Sequence, residues 1–294
     1  MGDVDLLYHN TYDDSKNDMG YNKMKALKTP LRYPGGKSRA TKYICPRFPK
    51  KISEYREPFL GGGSVAIEFG KRCPDVPIWV NDFYTPLAVF WTQLRDSGQD
   101  LRDRLTEIKL EHNTPDKAKE LFNEYKESLY DGDDLERAVK FYLINKCSFS
   151  GLTESSSFSK QASESNFSLR GIDKLPEYSR MIAEWKITNL HYEELLGDDE
   201  DVFIYLDPPY DIKIPIYGKR GAMHKHFDHD KFAIDCDNYT SPMLISYNSS
   251  QIVKDRFSGL QWSASEFDLT YSMRTTGDYM QKQAERKELI LMNY

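Results

Sequence analysis

Long apolar runs, clustered cysteines and internal repeats are all missing from this 294-residue chain. No stretch approaches the roughly 20 apolar residues that cross a bilayer, so no transmembrane helix and no membrane partner are expected. The first 20 residues lack the apolar core of a signal peptide and instead hold Asp3, Asp5, Asp13, Asp14 and Asp18. Residues 1–22 are therefore expected to form a disordered acidic tail. The four cysteines, Cys45, Cys73, Cys147 and Cys236, stand far apart, with no Cys-x-x-Cys pair and no Cys/His grouping. That argues against a structural zinc site, and no metal is expected. Scattered thiols fit a reduced, cytoplasmic protein.

What is present is ordinary for a globular protein: 39% apolar and 29% charged residues, enough for one large domain or a core with an insertion. The net charge of −6 does not favour a nucleic-acid partner, but the charge is uneven. Residues 23–56 carry eleven Lys or Arg and one acid, Glu54. Residues 212–227 carry Lys213, Lys219, Arg220 and Lys225, plus His224 and His226, and no acid. Such local patches bind phosphates even on an acidic protein.

Periodicity and turn chemistry predict a parallel α/β sheet opening with a strand at Glu54–Glu57, a glycine loop, a helix from Val65, a strand at Ile78–Val80 and a helix over Pro86–Leu94 capped by Thr85. Residues 98–175 read as a mainly helical insertion, with helices over 101–111, 115–129 and 134–146. The serine-rich stretch Ser155–Ser168 reads as a flexible loop. Strands are expected to resume at Ile187–Leu190, Val202–Leu206, Met243–Tyr247 and Glu288–Met292, with a helix over Gln251–Phe257.

Three segments carry chemistry. Asp207-Pro208-Pro209-Tyr210 follows the apolar run Val202–Leu206. Consecutive prolines fix an extended turn. They hold a carboxylate and the Pro208 carbonyl at the strand's carboxyl end, with an aromatic ring beside them. Two acceptors and a ring suit a planar heterocycle bearing an exocyclic amine. Glu57-Pro58-Phe59-Leu60-Gly61-Gly62-Gly63-Ser64 lets backbone approach a nucleotide-like cofactor closely. Asp82, nineteen residues after Gly63 at the end of the next strand, can accept ribose hydroxyls. In Arg32-Tyr33-Pro34-Gly35-Gly36-Lys37-Ser38, Tyr33 can lie on a purine and Lys37 can meet a carboxylate on the cofactor. Leu31 stands where a phosphate-binding P-loop needs glycine, which excludes that reading. A dinucleotide-binding reading of Gly61, Gly63 and Asp82 leaves the other two segments unexplained.

Leu31–Lys37, Glu57–Val65, Asn81-Asp82 and Asp207–Tyr210 resemble, in content, order and spacing, the Dam-type (D12 class) DNA adenine-N6 methyltransferases. So do the helix carrying Phe141–Asn145, the following Gly151, and the strand with Leu244-Ile245-Ser246. The resemblance covers about residues 28–294. It implies a Rossmann-like methyltransferase fold, split between residues 23–97 and 176–294, with 98–175 as a helical target-recognition domain. It implies S-adenosylmethionine as cofactor and double-stranded DNA as partner. It makes Asp207, Pro208, Pro209 and Tyr210 catalytic, and puts Tyr33, Gly35, Lys37, Phe59, Gly61, Gly63, Ser64, Asp82 and Asp207 at the cofactor. Asn145, Arg170, Lys219 and Arg220 are expected at the DNA, and a monomer or weak dimer is expected. Ser150-Gly151 is not followed by the arginine common in this family, so the base sequence recognised does not transfer. Other planar amines (cytosine N4, RNA adenine, a glutamine amide) remain open as targets, as does a catalytically silent DNA-binding relative.

Overall fold

The computed structural model describes residues 27–151, 153–210, 227–268 and 287–294; residues 1–22, Lys219 and Arg220 lie outside them. Seven strands form one sheet among the described residues: β1 (Glu54–Glu57), β2 (Ile78–Asn81), β3 (Lys186–Thr188), β4 (Val202–Leu206), β5 (Met243–Asn248), β6 (Ser263–Asp268) and β7 (Lys287–Met292). Their order is β3-β2-β1-β4-β5-β7-β6. The first five pair in parallel, and β7 runs antiparallel to both β5 and β6. The Rossmann-like expectation is borne out.

β4 is buried at all five positions, as a central parallel strand covered on both faces should be. Its side chains alternate between two cores. Phe203 and Tyr205 join one, and Val202, Ile204 and Leu206 join the other. β6 was invisible to periodicity because Ser263–Asp268 is mostly exposed and polar. It forms because β7 offers it a backbone edge.

Among the described residues the α-helices are α1 (Thr41–Ile44), α2 (Ser64–Arg72), α3 (Thr85–Asp96), α4 (Gly98–Glu111), α5 (Pro115–Glu127), α6 (Asp134–Cys147), α7 (Lys160–Ser165), α8 (Leu169–Ile172), α9 (Leu175–Met181), α10 (His229–Asp237) and α11 (Gln251–Arg256). Among the described residues, helices therefore run from residue 98 to Met181 without a strand. They do not form a separate core. Phe90 of α3 meets Phe141 and Tyr142 of α6 at ring-centroid distances of 5.6 and 5.8 Å. One apolar cluster runs from Tyr55 and Phe203 in the sheet to Leu105, Phe122 and Phe141 in the insertion.

Two local expectations need correction. Thr85 begins α3 rather than capping it: Tyr84 is the cap residue, and the Thr85 hydroxyl bonds Asn189 Oδ1 at 3.0 Å. The serine-rich segment is not a free loop. Ser159 and Ser168 accept from the backbone N–H groups of Ala162 and Gly171 and so start α7 and α8. Phe158 packs on Phe122 at 5.6 Å and Phe167 is fully buried. Ser159 and Ser168 are helix starts between aromatic anchors, which composition alone does not distinguish from a linker. No described helix is long and apolar enough to cross a membrane.

Gly63 has φ +68°, and a Cβ there would stand 2.7 Å from Trp91 Cζ2. Gly63→Ala should therefore cost roughly 2–4 kcal/mol through backbone strain and overpacking, measured as a lower urea midpoint at unchanged slope.

Candidate active site

The strand order reverses between β1 and β4. β1 turns to β2 on one side and β4 to β5 on the other. Loops leaving the carboxyl ends of such a pair splay apart and open a crevice. The register Tyr55↔Phe203 and Arg56↔Ile204 puts the Glu57–Ser64 loop and the Asp207–Tyr210 corner side by side at that edge.

The glycine loop is held from three directions. Gly61 N–H donates to Asp82 Oδ2 at 2.9 Å, and Trp91 Nε1 donates to the Gly61 carbonyl at 3.1 Å. The Thr29 hydroxyl donates to the Gly62 carbonyl. Positive φ at Gly61 (+49°) and Gly63 (+68°) shapes the turn, and the Tyr33 ring lies against the missing Cβ positions of Gly61 and Gly62. Asp82 Oδ1 accepts from Tyr84 N–H at 2.9 Å, so one carboxylate closes the glycine loop and steadies the start of α3. Each oxygen keeps a further lone pair. Burial drives the Asp82 carboxyl up to about 6 against these two N–H groups.

At the corner, the Lys37 ammonium binds both oxygens of Asp207, at 2.7 and 2.8 Å, and donates to the Gly35 carbonyl at 2.9 Å. Lys37 was expected to meet a carboxylate on the cofactor. In this structure it meets the carboxylate of the chain itself, because a side chain only 3% exposed needs a counter-charge in reach. Ser246 Oγ donates to Asp207 Oδ1 at 3.3 Å and is itself bonded to the Tyr205 hydroxyl at 2.6 Å. Burial still lifts Asp207 to about 6, with Lys37 opposing. Nearby Glu57 is raised well above the carboxylate range by burial, despite bonds from the Tyr55 hydroxyl and the Ala66 backbone. Tyr210 continues from the corner with the Lys37 ammonium 4.8 Å from its ring centroid. Its ring stacks on Tyr247 at 5.9 Å and its hydroxyl donates to Glu288 at 2.5 Å.

A cleft of about 470 Å³ brings together every residue expected at the cofactor: Tyr33, Gly35, Lys37, Phe59, Gly61, Gly63, Ser64, Asp82 and Asp207. Pro208 and Pro209 also line it. Sequence reasoning missed Phe83, His191, Tyr192 and Lys231 on its wall. Phe83 is half exposed and leans on the His191 ring at 4.5 Å, while Tyr192 stacks on Phe59 at 5.5 Å. The available signal was positional. Phe83 follows the strand-end acid, and His191 and Tyr192 follow β3, the next strand of the same edge.

The expected DNA contacts divide. Arg170 is exposed on α8, and Lys219 and Arg220 lie outside the described residues. Asn145 requires correction, for it is fully buried. Its amide accepts from Arg32 N–H at 3.0 Å and donates to the Arg32 carbonyl at 2.6 Å, so it clamps backbone instead of facing a partner. The clamp fixes Arg32 beside Lys146, whose ammonium is pushed down to about 8 by burial and by Arg32. All four cysteines are free thiols, with Cys45 pushed up to about 12 by burial. No metal-holding group of three or more His, Cys, Asp or Glu occurs among the described residues.

Comparison with known proteins gives a consistent picture. The family model described as D12 class N6 adenine-specific DNA methyltransferase matches residues 33–273. The chain is 23% identical over 292 residues to the Type II methyltransferase M1.LlaDCHI of Lactococcus lactis subsp. cremoris, spanning 91% of this chain and 96% of that protein. It is 24% identical over 201 residues to the Type II methyltransferase M.MjaIII of Methanocaldococcus jannaschii, spanning 63% and 69%. It is 26% identical over 208 residues to the modification methylase StsI of Streptococcus sanguinis, spanning 67% of this chain and 31% of that longer protein.

An acid whose carboxyl titrates near 6 when folded, against 3.8 as its ordinary value, binds its proton more tightly in the folded state. Its contribution is full below pH 4 and is lost as pH rises toward 6, a span worth about 3 kcal/mol. Asp82→Asn should escape that loss. Urea titrations from pH 4 to 7 should show the variant gaining stability relative to wild type by up to about 3 kcal/mol as pH rises.

Proposed function

Because the chain belongs to the D12 class N6 adenine-specific DNA methyltransferases, we propose that it moves a methyl group from S-adenosylmethionine to the N6 amine of an adenine flipped out of duplex DNA. DNA methyl transfer comes with the family; the donor, the target atom and the residue roles are proposed. The observation that carries them is the shared wall. The Asp207–Pro209 corner and the glycine loop face one cleft, and a buried lysine sets the corner's carboxylate.

The cleft fits the donor. Its volume is that of a small-molecule site. The free lone pairs of Asp82 suit a ribose diol, and Phe59, Phe83 and Tyr192 offer apolar faces to a purine. When bound, S-adenosylmethionine supplies an already electrophilic methyl on a sulfonium. The chain's part is positioning and charge. Asp207 and the Pro208 carbonyl accept from the target amine, drawing its lone pair out of the ring and stabilising the positive charge that grows on nitrogen. Lys37 keeps Asp207 ionised at neutral pH in spite of burial. Tyr210 offers a stacking face worth roughly 1–3 kcal/mol, which offsets part of the flipping cost. Helices between residues 98 and 175 form the target-recognition part, with the exposed Arg170 placed to meet DNA phosphates. The names of the Type II relatives support a place in a restriction–modification pair.

Incubation with labelled donor and unmethylated DNA, followed by nucleoside analysis, should yield N6-methyladenine. Label in N4-methylcytosine, RNA or protein would reject the target assigned. Asp207→Ala should lower kcat by at least a thousandfold while calorimetry shows a much smaller loss of donor affinity. Lys37→Met removes the cation that opposes the rise of Asp207. The acidic limb of its pH–rate profile should therefore move to higher pH by about one unit or more.

A further inference from the structure

β7 holds an anomaly. Glu288-Leu289-Ile290-Leu291 is a core run, yet its first residue is an acid only 2% exposed. A buried carboxylate costs several kcal/mol unless it is bonded. Glu288 lies opposite Asn248 of β5, so it sits two strands away from β4, whose end carries the corner. The Tyr210 side chain bridges that gap. Its ring crosses β5 on top of Tyr247, at 5.9 Å and 20° between planes, and its hydroxyl reaches Glu288 at 2.5 Å.

The corner is thus held at both ends. Asp207 is fixed by Lys37 and Ser246, and Tyr210 by Tyr247 and Glu288. The distance and angle between the amine-binding acid and the ring are set by these two anchors together. A ring held only by stacking slides and turns in its plane. A phenol bonded to a buried carboxylate does not. Glu288 also lies close enough to Asp207 for its charge to be felt there.

We propose that Glu288 is a positioning residue for methyl transfer, fixing the Tyr210 ring through its hydroxyl so that the stacked base presents its amine to the Asp207–Pro208 corner. The inference rests on the reading of Tyr210 as the stacking face.

A double-mutant cycle tests it. Glu288→Gln keeps the volume of the side chain and removes the charge-assisted bond; Tyr210→Phe keeps the ring and removes the hydroxyl. Unmethylated plasmid DNA and tritiated S-adenosylmethionine are the substrates. Each single variant should lose roughly tenfold in kcat with the KM for S-adenosylmethionine unchanged, and the double variant should be no slower than the slower single. Multiplied losses in the double variant, or wild-type kcat in E288Q, overturn the inference. If E288Q does not fold, Y210F decides alone, and wild-type kcat in that variant overturns it as well. A wild-type protein that transfers no methyl to DNA would overturn the proposed function and this inference together. An active wild type with independent losses overturns the inference only.

Discussion

The ion pair between buried Lys37 and partly exposed Asp207 organises this molecule. An ammonium at 3% exposure and a carboxylate at the end of a central strand bind at 2.7 Å, across 170 residues of chain. The lysine charge is not tolerable there alone. The pair ties the segment before α1 to the end of β4 and lays Tyr33 over the glycine loop on the way. Burial acts on the neighbouring acids as well. Glu57 is driven well above the carboxylate range and stays hydrogen-bonded between Tyr55 and the start of α2. Asp207 is raised less because Lys37 opposes the rise.

A second constraint joins the helical insertion to this site. Asn145 on α6 holds both backbone groups of Arg32, directly before Tyr33 of the cleft wall. Gly151, at φ +75°, lets the loop after α6 close on the same backbone; a Cβ there would stand 2.3 Å from the Arg32 carbonyl oxygen. With the shared apolar core, these contacts make the insertion mechanically continuous with the cleft.

Much of this was legible in the letters. Strand and helix periods located β1, β2, β4, β5 and β7 and the long helices, because each has a buried face of regular spacing. The glycine loop and the diproline corner read correctly as loop chemistry, since glycine and proline act on their own backbone. β6 escaped because its order comes from β7 rather than from its own side chains. The serines of 155–168 misled because a helix cap and a flexible linker share composition. Asn145 read as a polar residue free to bind, but its partners stand 113 residues away in Arg32.

By itself, then, the sequence determined the local pieces and their order: which strands exist, which loops bend, and which residue types wait at the strand ends. These follow from dihedral preference and periodicity, which act over a few residues. Tertiary structure alone decided the pairings. It set Lys37 on Asp207, Asn145 on Arg32 and, across 78 residues, Tyr210 on Glu288. A buried polar group takes whichever partner the packed sheet brings within about 3 Å, and strand order, not chain distance, sets which one that is.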